Sequence, residues 1–177
     1  MPLMSRLFII EGMDSTGKST LARTLALERE AVYLHASGHR DLHDSMFAHH
    51  KNLLEIAEVN LQMGHDVVMD RHWPSEYAYA GVLREDKFGK YDFEAMRNEC
   101  FRLDATYIWA NNPSYERYKA THADHDTKVF HHLTLDQFII IGKRYSQLFD
   151  FMGGFILAKK YDITTDGEHI EQFIASL

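Results

Sequence analysis

Residues 5–30 read SRLFIIEGMDSTGKSTLARTLALERE, a stretch in which three local patterns follow one another. Residues 5–11 contain a short apolar run and are followed by Gly12, a pattern typical of a buried β-strand. Residues 18–30 carry apolar side chains at helical spacing among good helix formers. Between them, residues 12–19 (GMDSTGKS) fit the pattern GxxxxGK[ST]. The stretch therefore predicts a strand, a glycine-containing loop and a helix in direct succession.

The loop contains the residue types that bind phosphate. Glycines let the backbone bend so that amide N–H groups point at phosphate oxygens, and the following helix adds its positive N-terminal end. Lys18 places a cation on the terminal phosphates, and the Ser19 hydroxyl can ligate Mg²⁺. A chance glycine turn beside a lysine is the alternative, but it would not require the flanking strand and helix. We expect ATP with Mg²⁺ to bind the residues of this loop: Gly12, Asp14, Ser15, Thr16, Gly17, Lys18, Ser19 and Thr20.

The size and charge of the chain limit the functions it can have. Its 177 residues suit one domain, residues 1–177, around one core. Acidic residues outnumber basic ones by 26 to 19, which argues against a nucleic acid polymer as the main partner but not against a mononucleotide. No apolar run approaches the roughly 18 residues needed to span a bilayer, so we expect no membrane partner.

The cysteine and histidine content predicts a cytoplasmic protein without a zinc site. Cys100 is the single cysteine, which excludes an internal disulfide framework and favours a reducing cytosol. The 12 histidines include no HExxH motif and no second ligand pair at metal-like spacing. We therefore interpret them as solvated or nucleotide-facing side chains.

Strand-like and helix-like segments alternate along the chain. Apolar runs predict strands at residues 5–11, 31–34, 66–70, 105–110 and 155–163. Helical periodicity predicts helices at residues 18–30, 41–63, 74–84, 91–103, 113–120, 133–152 and 167–177. This alternation predicts an α/β fold, a three-layer αβα sandwich with helices on both faces of a parallel sheet. The phosphate-loop pattern at residues 12–19 makes it P-loop NTPase-type, and the five predicted strands give a five-stranded parallel sheet. In such sheets the ligand lies beyond the carboxyl ends of the strands.

The third predicted strand ends in a carboxylate followed by an arginine. Asp70, delivered by the apolar run 67–69, is placed to hold Mg²⁺ together with Ser19. Arg71 comes next, and its guanidinium can bind a second phosphate group with two N–H donors. A kinase with a phosphorylated acceptor needs such a residue, whereas a hydrolase does not. A surface ion pair between Asp70 and Arg71 without a catalytic role is the alternative.

Two segments resemble thymidylate kinases. Residues 8–20 (FIIEGMDSTGKST) are similar to the opening of that family, and residues 70–79 (DRHWPSEYAY) resemble its DRxxxSxxAY segment, in the same order and at a similar separation. The resemblance implies transfer of the γ-phosphoryl group of ATP to a deoxynucleoside monophosphate, dTMP or another dNMP. It also implies a homodimer, since thymidylate kinases are commonly dimers.

Carried over by position, the resemblance assigns the acceptor site. Asp14 would lie near the acceptor sugar, and Arg71 would hold the acceptor phosphate. Ser75 and Tyr79 would line the pocket, with Tyr79 near the sugar and base. Arg40 is similar in place to an arginine that also holds this phosphate, although its neighbours differ from the usual ones.

The resemblance further implies a lid and a base-reading helix. A lid around residues 117–132 would bring cations over the phosphates, and Arg117, Lys119 and Lys128 are the candidates; Lys18, Arg71, Asp14, Arg117 and Lys128 form the predicted catalytic set. Ser15 stands where some members carry an arginine, so the lid would supply that cation. Phe47 would stack on the base with His49 or His50 at its edge, although packing in the core is the alternative for Phe47. The usual arginine of that helix is absent, so a purine or a modified base remains open. Thr165 lies in the loop where the family holds adenine.

Two other functions remain open from the sequence. A deoxynucleoside kinase also carries an Asp-Arg pair, but usually has a carboxylate base at the end of its second strand, where this chain has His35-Ala36-Ser37. A nucleotide switch or ATPase without an acceptor would leave Arg71 and Tyr79 without a role.

Overall fold

The computed structural model of the protein describes residues 5–36, 46–83, 91–111, 114–122, 133–153 and 158–177. The strands are β1 (Leu7–Gly12), β2 (Val32–His35), β3 (Val67–Asp70), β4 (Thr106–Asn111) and β5 (Ala158–Asp162). The helices are α1 (Lys18–Glu28), α2 (Met46–Gln62), α3 (Trp73–Leu83), α4 (Phe93–Arg102), α5 (Tyr115–His122), α6 (Leu135–Met152) and α7 (Ile170–Ala175), with a short 3₁₀ turn at Gly167–His169 before α7.

The five strands form one parallel sheet in the order β2-β3-β1-β4-β5. β1 is the central strand, and its Ile10 pairs with Asp70 of β3 on one side and with Ile108 of β4 on the other. Because all strands run in the same direction, the carboxyl ends of β1 and β3 lie side by side at one edge of the sheet. This register places the start of the phosphate loop next to Asp70 and Arg71.

Helices cover both faces of the sheet. All six residues of β1 are buried, as expected for a strand with no solvent-facing side. Leu7 and Ile9 belong to the core that packs against α2, α3, α4 and α6. Phe8 and Ile10 belong to a second core, packed against α1 and α7. The predicted three-layer αβα fold with a five-stranded parallel sheet is therefore confirmed.

Most predicted elements appear within one to three residues of their expected ends, and the differences have local causes. Helix α4 begins at Phe93 because the Asp92 side chain caps it by accepting from the Ala95 amide. Helix α6 begins at Leu135 because Thr134 and Gln137 form a capping box. The predicted helix 167–177 begins as a 3₁₀ turn. Within the described ranges, no helix combines the length and the apolar character that crossing a bilayer demands.

Candidate active site

The phosphate loop joins β1 to α1 and depends on backbone shapes that favour glycine. Gly12 has φ +149, and a Cβ atom there would lie 2.3 Å from the Ala110 carbonyl oxygen of β4. Ser15 also has a positive φ, of 66°, although it carries a side chain. The Thr16 hydroxyl donates to the Met13 carbonyl at 2.8 Å and closes the loop on itself. The loop is therefore held in a bent shape by β4 on one side and by its own hydrogen bond.

Lys18 is almost fully buried at the first turn of α1. Its Nζ lies 3.4 Å from the Met13 carbonyl oxygen and 3.5 Å from Asp14 Oδ1, so the ammonium group lies against the loop. Burial and, to a smaller extent, the charge of Arg71 lower the pKa of Lys18 to about 8, while Asp14 acts in the opposite direction. A nearby anion such as a phosphate would favour the charged form of this lysine.

Arg71 follows β3 and turns back toward the phosphate loop. Its backbone has φ 72, and its amide still donates to the Ile10 carbonyl of β1 at 2.9 Å. The guanidinium donates to the Gly12 carbonyl at 3.1 Å and forms a direct ion pair with Asp14. Burial acts to lower the pKa of Arg71, but Asp14 and other nearby groups hold it well above its usual range, so the side chain stays charged.

Asp14 and Tyr79 complete the same cluster. The Tyr79 hydroxyl accepts from the Asp14 amide at 3.2 Å and donates to Asp14 Oδ2 at 3.3 Å. The Arg71 guanidinium lies 5.4 Å from the centre of the Tyr79 ring, and it also donates to Ser75 Oγ at 2.8 Å. The structure therefore brings together the four described residues predicted to bind the acceptor sugar and phosphate: Asp14, Arg71, Ser75 and Tyr79.

Asp70 provides a candidate cation site beside the loop. Its Oδ2 accepts from the Tyr33 hydroxyl at 3.0 Å and lies 3.4 Å from His35 Nδ1. Its Oδ1 is buried and has no hydrogen-bond partner among the residues that the structure describes. Burial acts to raise the pKa of Asp70, but the His35 and Ser19 side chains and the nearby cations lower it below the usual range. An ionised carboxylate oxygen that no described residue hydrogen-bonds, close to the Ser19 hydroxyl, fits Mg²⁺.

The few protein ligands near Asp70 also suit Mg²⁺ better than a metal ion whose ligands are all protein side chains. Within the described ranges, no group of three or more His, Cys, Asp or Glu side chains is placed to hold a metal ion. Mg²⁺ is usually bound by one or two protein oxygens, with the rest of its octahedron filled by water and substrate phosphate. Ser19 and Asp70 would be those protein ligands.

Glu11 and Tyr145 belong to the site but were not predicted from the sequence. Glu11, fully buried on β1, accepts from Ser75 Oγ at 2.6 Å, from the Tyr145 hydroxyl at 3.2 Å and from the His72 amide. Burial raises the pKa of Glu11 to about 7, although Arg71 and these hydrogen bonds act to lower it. A charged residue inside the apolar run FIIEG was a signal for Glu11. Tyr145 gave none, since it has the spacing of an ordinary core residue.

The remaining predicted residues lie around this cluster or outside the described ranges. Phe47 is half-buried on α2, edge-on to the Tyr91 ring at 5.6 Å. The nearby His49 has a buried Nε2 to which no described residue gives a hydrogen bond. Thr20, Arg117 and Thr165 are exposed. Arg40, Lys128 and the lid beyond residue 122 lie outside the described residues.

Thr165 belongs to a turn that lies against the phosphate loop. Ile163 at the start of this turn approaches Gly17 so closely that a Cβ atom at Gly17 would lie 2.4 Å from Ile163 Cδ1. The turn is closed by the Thr165 amide, which donates to the Asp162 carbonyl at 3.1 Å. The loop predicted to hold adenine thus lies next to the loop predicted to hold the phosphates.

Comparison with known proteins supports the fold. No family model and no curated protein matches the chain. Among solved structures, it is similar to the YorR protein from Bacillus subtilis in complex with phosphorylated GDP, with a TM-score of 0.66, 18% sequence identity and coverage of 96% of this chain and 94% of that one.

Two structures of deoxyadenosine kinase from M. mycoides are also similar. One has the products dCMP and a flexible dCDP bound (TM-score 0.59, 12% identity, 96% of each chain covered). The other has dCTP bound (TM-score 0.62, 12% identity, 96% of this chain and 97% of that one covered). Likeness at these identities shows architecture alone, and the chain has the fold of the P-loop kinases.

Proposed function

We propose that this protein is an ATP-dependent nucleoside monophosphate kinase that transfers the γ-phosphoryl group of ATP to a deoxynucleoside monophosphate. One observation carries the proposal: two cations with little solvent exposure, Lys18 and Arg71, meet at a single carboxylate, Asp14, at the mouth of the phosphate loop. Lys18 suits the donor phosphates. Arg71 adds a second cation with several N–H groups, which the protein would not need if ATP were the only phosphate compound bound. A phosphorylated acceptor accounts for both.

In this mechanism the protein mainly positions the reactants. The loop amides and Lys18 bind the donor phosphates, and Arg71 holds the acceptor phosphate. An oxygen of the acceptor phosphate forms the new bond to the γ-phosphorus as the bond to ADP breaks. A phosphate oxygen is already anionic, so no side chain has to remove a proton from it. When bound at Ser19 and Asp70, Mg²⁺ supplies charge neutralisation at the donor phosphates.

The surrounding residues define the acceptor further. Tyr79 and Asp14 are the proposed contacts to the sugar, and this is supported by the position of both against Arg71, the proposed phosphate-binding residue. Phe47 and His49 are the proposed contacts to the base, and Thr165 is the proposed contact to adenine. Arg117 and Lys128 are the proposed lid cations. We expect the acceptor to be a free mononucleotide rather than a nucleic acid polymer.

A deoxynucleoside kinase is the second candidate, and the likeness to the deoxyadenosine kinase structures favours it. That reaction requires a base for the sugar hydroxyl. At the end of β2, the side chain found is His35, which lies 3.4 Å from Asp70. Its position beside Asp70 argues for a role at the cation site and against a role as base.

The experiment that tests the proposal compares acceptors directly. The protein is incubated with Mg–ATP and each deoxynucleoside monophosphate or deoxynucleoside, and products are separated by anion-exchange chromatography. We expect a diphosphate product from at least one monophosphate, and a much smaller yield with Arg71→Ala. Phosphorylation of deoxynucleosides alone would establish the second candidate, and ATP hydrolysis without any phosphorylated product would refute both.

A further inference from the structure

Besides the Asp14 carboxylate and the Gly12 carbonyl, the Arg71 guanidinium contacts two hydroxyl groups. Its Nη1 donates to Ser75 Oγ at 2.8 Å and approaches the Tyr145 hydroxyl at 3.5 Å. These two hydroxyl oxygens lie 2.9 Å from each other. Both hydroxyls also reach the same carboxylate oxygen, Glu11 Oε2, at 2.6 Å from Ser75 and 3.2 Å from Tyr145. Glu11 therefore lies directly behind the groups that contact Arg71.

The number of protons in this cluster decides which way each hydrogen bond runs. A hydroxyl has one proton to donate, and an ionised carboxylate can only accept. If Ser75 and Tyr145 both donate to Glu11, each keeps oxygen lone pairs directed at the N–H groups of Arg71. Burial raises the pKa of Glu11 to about 7, so at pH 8 the carboxylate is mostly ionised and this arrangement holds.

The cluster is also well placed to be rigid. Glu11 lies on β1 and is fully buried, while Tyr145 lies on α6 and is 1% exposed. Ser75 lies on α3, and the Glu11 carboxylate also accepts from the amide of His72, just before that helix. Three elements are thereby tied to one carboxylate. Because the Ser75 and Tyr145 hydroxyls are held in place by Glu11, they fix the orientation of the Arg71 guanidinium.

We propose that Glu11 and Tyr145 are positioning residues that hold the Arg71 guanidinium in the orientation in which it binds the acceptor phosphate. The inference rests on the proposed function, since it takes Arg71 as the acceptor-phosphate residue. Neither side chain contacts the phosphate itself. Their effect runs through Arg71, so their removal weakens acceptor binding without weakening the donor site.

Steady-state kinetics at pH 8 test this with the variants Tyr145→Phe and Glu11→Gln. We expect the KM for the acceptor to rise roughly tenfold, the loss of one hydrogen bond to a charged group, while the KM for ATP stays within about twofold. Tyr107→Phe is the matched control. Tyr107 is an equally buried tyrosine whose hydroxyl accepts from Trp73 Nε1 at 2.8 Å. It should lose stability but keep both KM values.

A double-mutant comparison separates positioning from general support of the fold. In an Arg71→Ala background, adding Tyr145→Phe should change the acceptor KM by less than about twofold, because the group on which Tyr145 acts is gone. An equal increase in both backgrounds would overturn the proposal. So would an acceptor KM in Tyr145→Phe that matches that of Tyr107→Phe. If Glu11→Gln does not fold, Tyr145→Phe decides the outcome alone.

A measurement without substrate keeps this inference separate from the proposed function. In ¹⁵N NMR spectra, a guanidinium held on several sides gives separate Nη signals, and a freely rotating one gives averaged signals. We expect separate Arg71 signals, identified by their loss in Arg71→Lys, in the native protein and in Tyr107→Phe. In Tyr145→Phe, where the contacts of Arg71 with Asp14, Gly12 and Ser75 remain, we expect these signals to broaden and move together, and unchanged signals would refute positioning. If the protein phosphorylates no monophosphate but shows this change in the Arg71 signals, only the proposed function is refuted, and the positioning inference stands.

Discussion

Replacing Glu11 by glutamine should change how the stability of the protein depends on pH. Burial raises the pKa of Glu11 to about 7, partly offset by Arg71 and its hydrogen bonds. Burial and, to a smaller extent, the charge of His49 lower the pKa of His72 to about 4, while its hydrogen bond to the His50 carbonyl acts in the opposite direction. Burial therefore shifts the pKa values of these two neighbouring, fully buried groups in opposite directions.

The signs follow from which state binds protons more tightly. Folding raises the pKa of Glu11, so its contribution to stability is present below about pH 4.5 and is lost as the pH rises to about 7. Folding lowers the pKa of His72, so its contribution is present above about pH 6.5 and is lost as the pH falls toward 4. Between about pH 4.5 and 6.5 the two effects oppose each other.

The magnitude in that interval is about 3 kcal/mol for each group, from 1.36 kcal/mol per pH unit over two pH units. In the native protein the two contributions nearly cancel, so the free energy of unfolding should be almost constant between pH 4.5 and 6.5. In Glu11→Gln only His72 titrates. The free energy of unfolding of that variant should therefore rise by about 3 kcal/mol across the interval.

Urea denaturation followed by circular dichroism, at steps of half a pH unit, measures these curves. Glu94→Gln is the control, because Glu94 is a carboxylate on α4 whose side chain is 79% exposed; its curve should match the native one. His72→Gln should show the reverse slope, with stability falling as the pH rises. A Glu11→Gln curve parallel to the native curve would refute the reasoning.

Three further outcomes are expected. Lys18→Ala should abolish phosphoryl transfer without lowering the melting temperature, because it removes a buried charge; a lower melting temperature would contradict this. Asp70→Asn should raise the Mg²⁺ concentration for half-maximal rate at least tenfold in a magnesium titration, and an unchanged requirement would remove Asp70 from the cation site. Gly12→Ala should destabilise by about 2–5 kcal/mol in urea, from backbone strain and contact with the Ala110 carbonyl. Gly64→Ala, where φ is +88 but a Cβ meets nothing within 4 Å, should cost about 1 kcal/mol, and equal losses would contradict the contact.

Local patterns were sufficient to predict the fold. Apolar runs such as FIIEG identify buried strands because both faces of a parallel strand are covered, and the loop at residues 12–19 orients the first strand and helix. The cluster around Arg71, which we propose binds the acceptor, could also be predicted in part from local patterns. Asp14 lies at the end of β1 and Arg71 at the end of β3, and parallel strand ends meet at one edge.

The inner part of the site was not foreseeable from local patterns. Tyr145 meets Glu11 across 134 residues of sequence, and nothing in the helical periodicity of α6 separates it from its core neighbours. The left-handed backbone of Arg71 is equally hidden, since arginine does not favour it. His72 reads as a loop histidine after a strand, yet it is fully buried against His50 and Cys100. These properties arise from tertiary packing. The roles of Arg40, Phe47, His49, Arg117, Lys128 and Thr165, the cytoplasmic location and the homodimer stay predictions.

The shared carboxylate of Asp14 has a consequence for selectivity against small anions. Lys18 and Arg71 already have a negative partner before any ligand arrives, so chloride or inorganic phosphate would have to displace that partner without the help of a sugar or base. A nucleotide phosphate would take the place of the Asp14 carboxylate, and the sugar and base of the nucleotide would add further contacts. Its affinity should therefore vary less with ionic strength than that of a site with two unpaired cations.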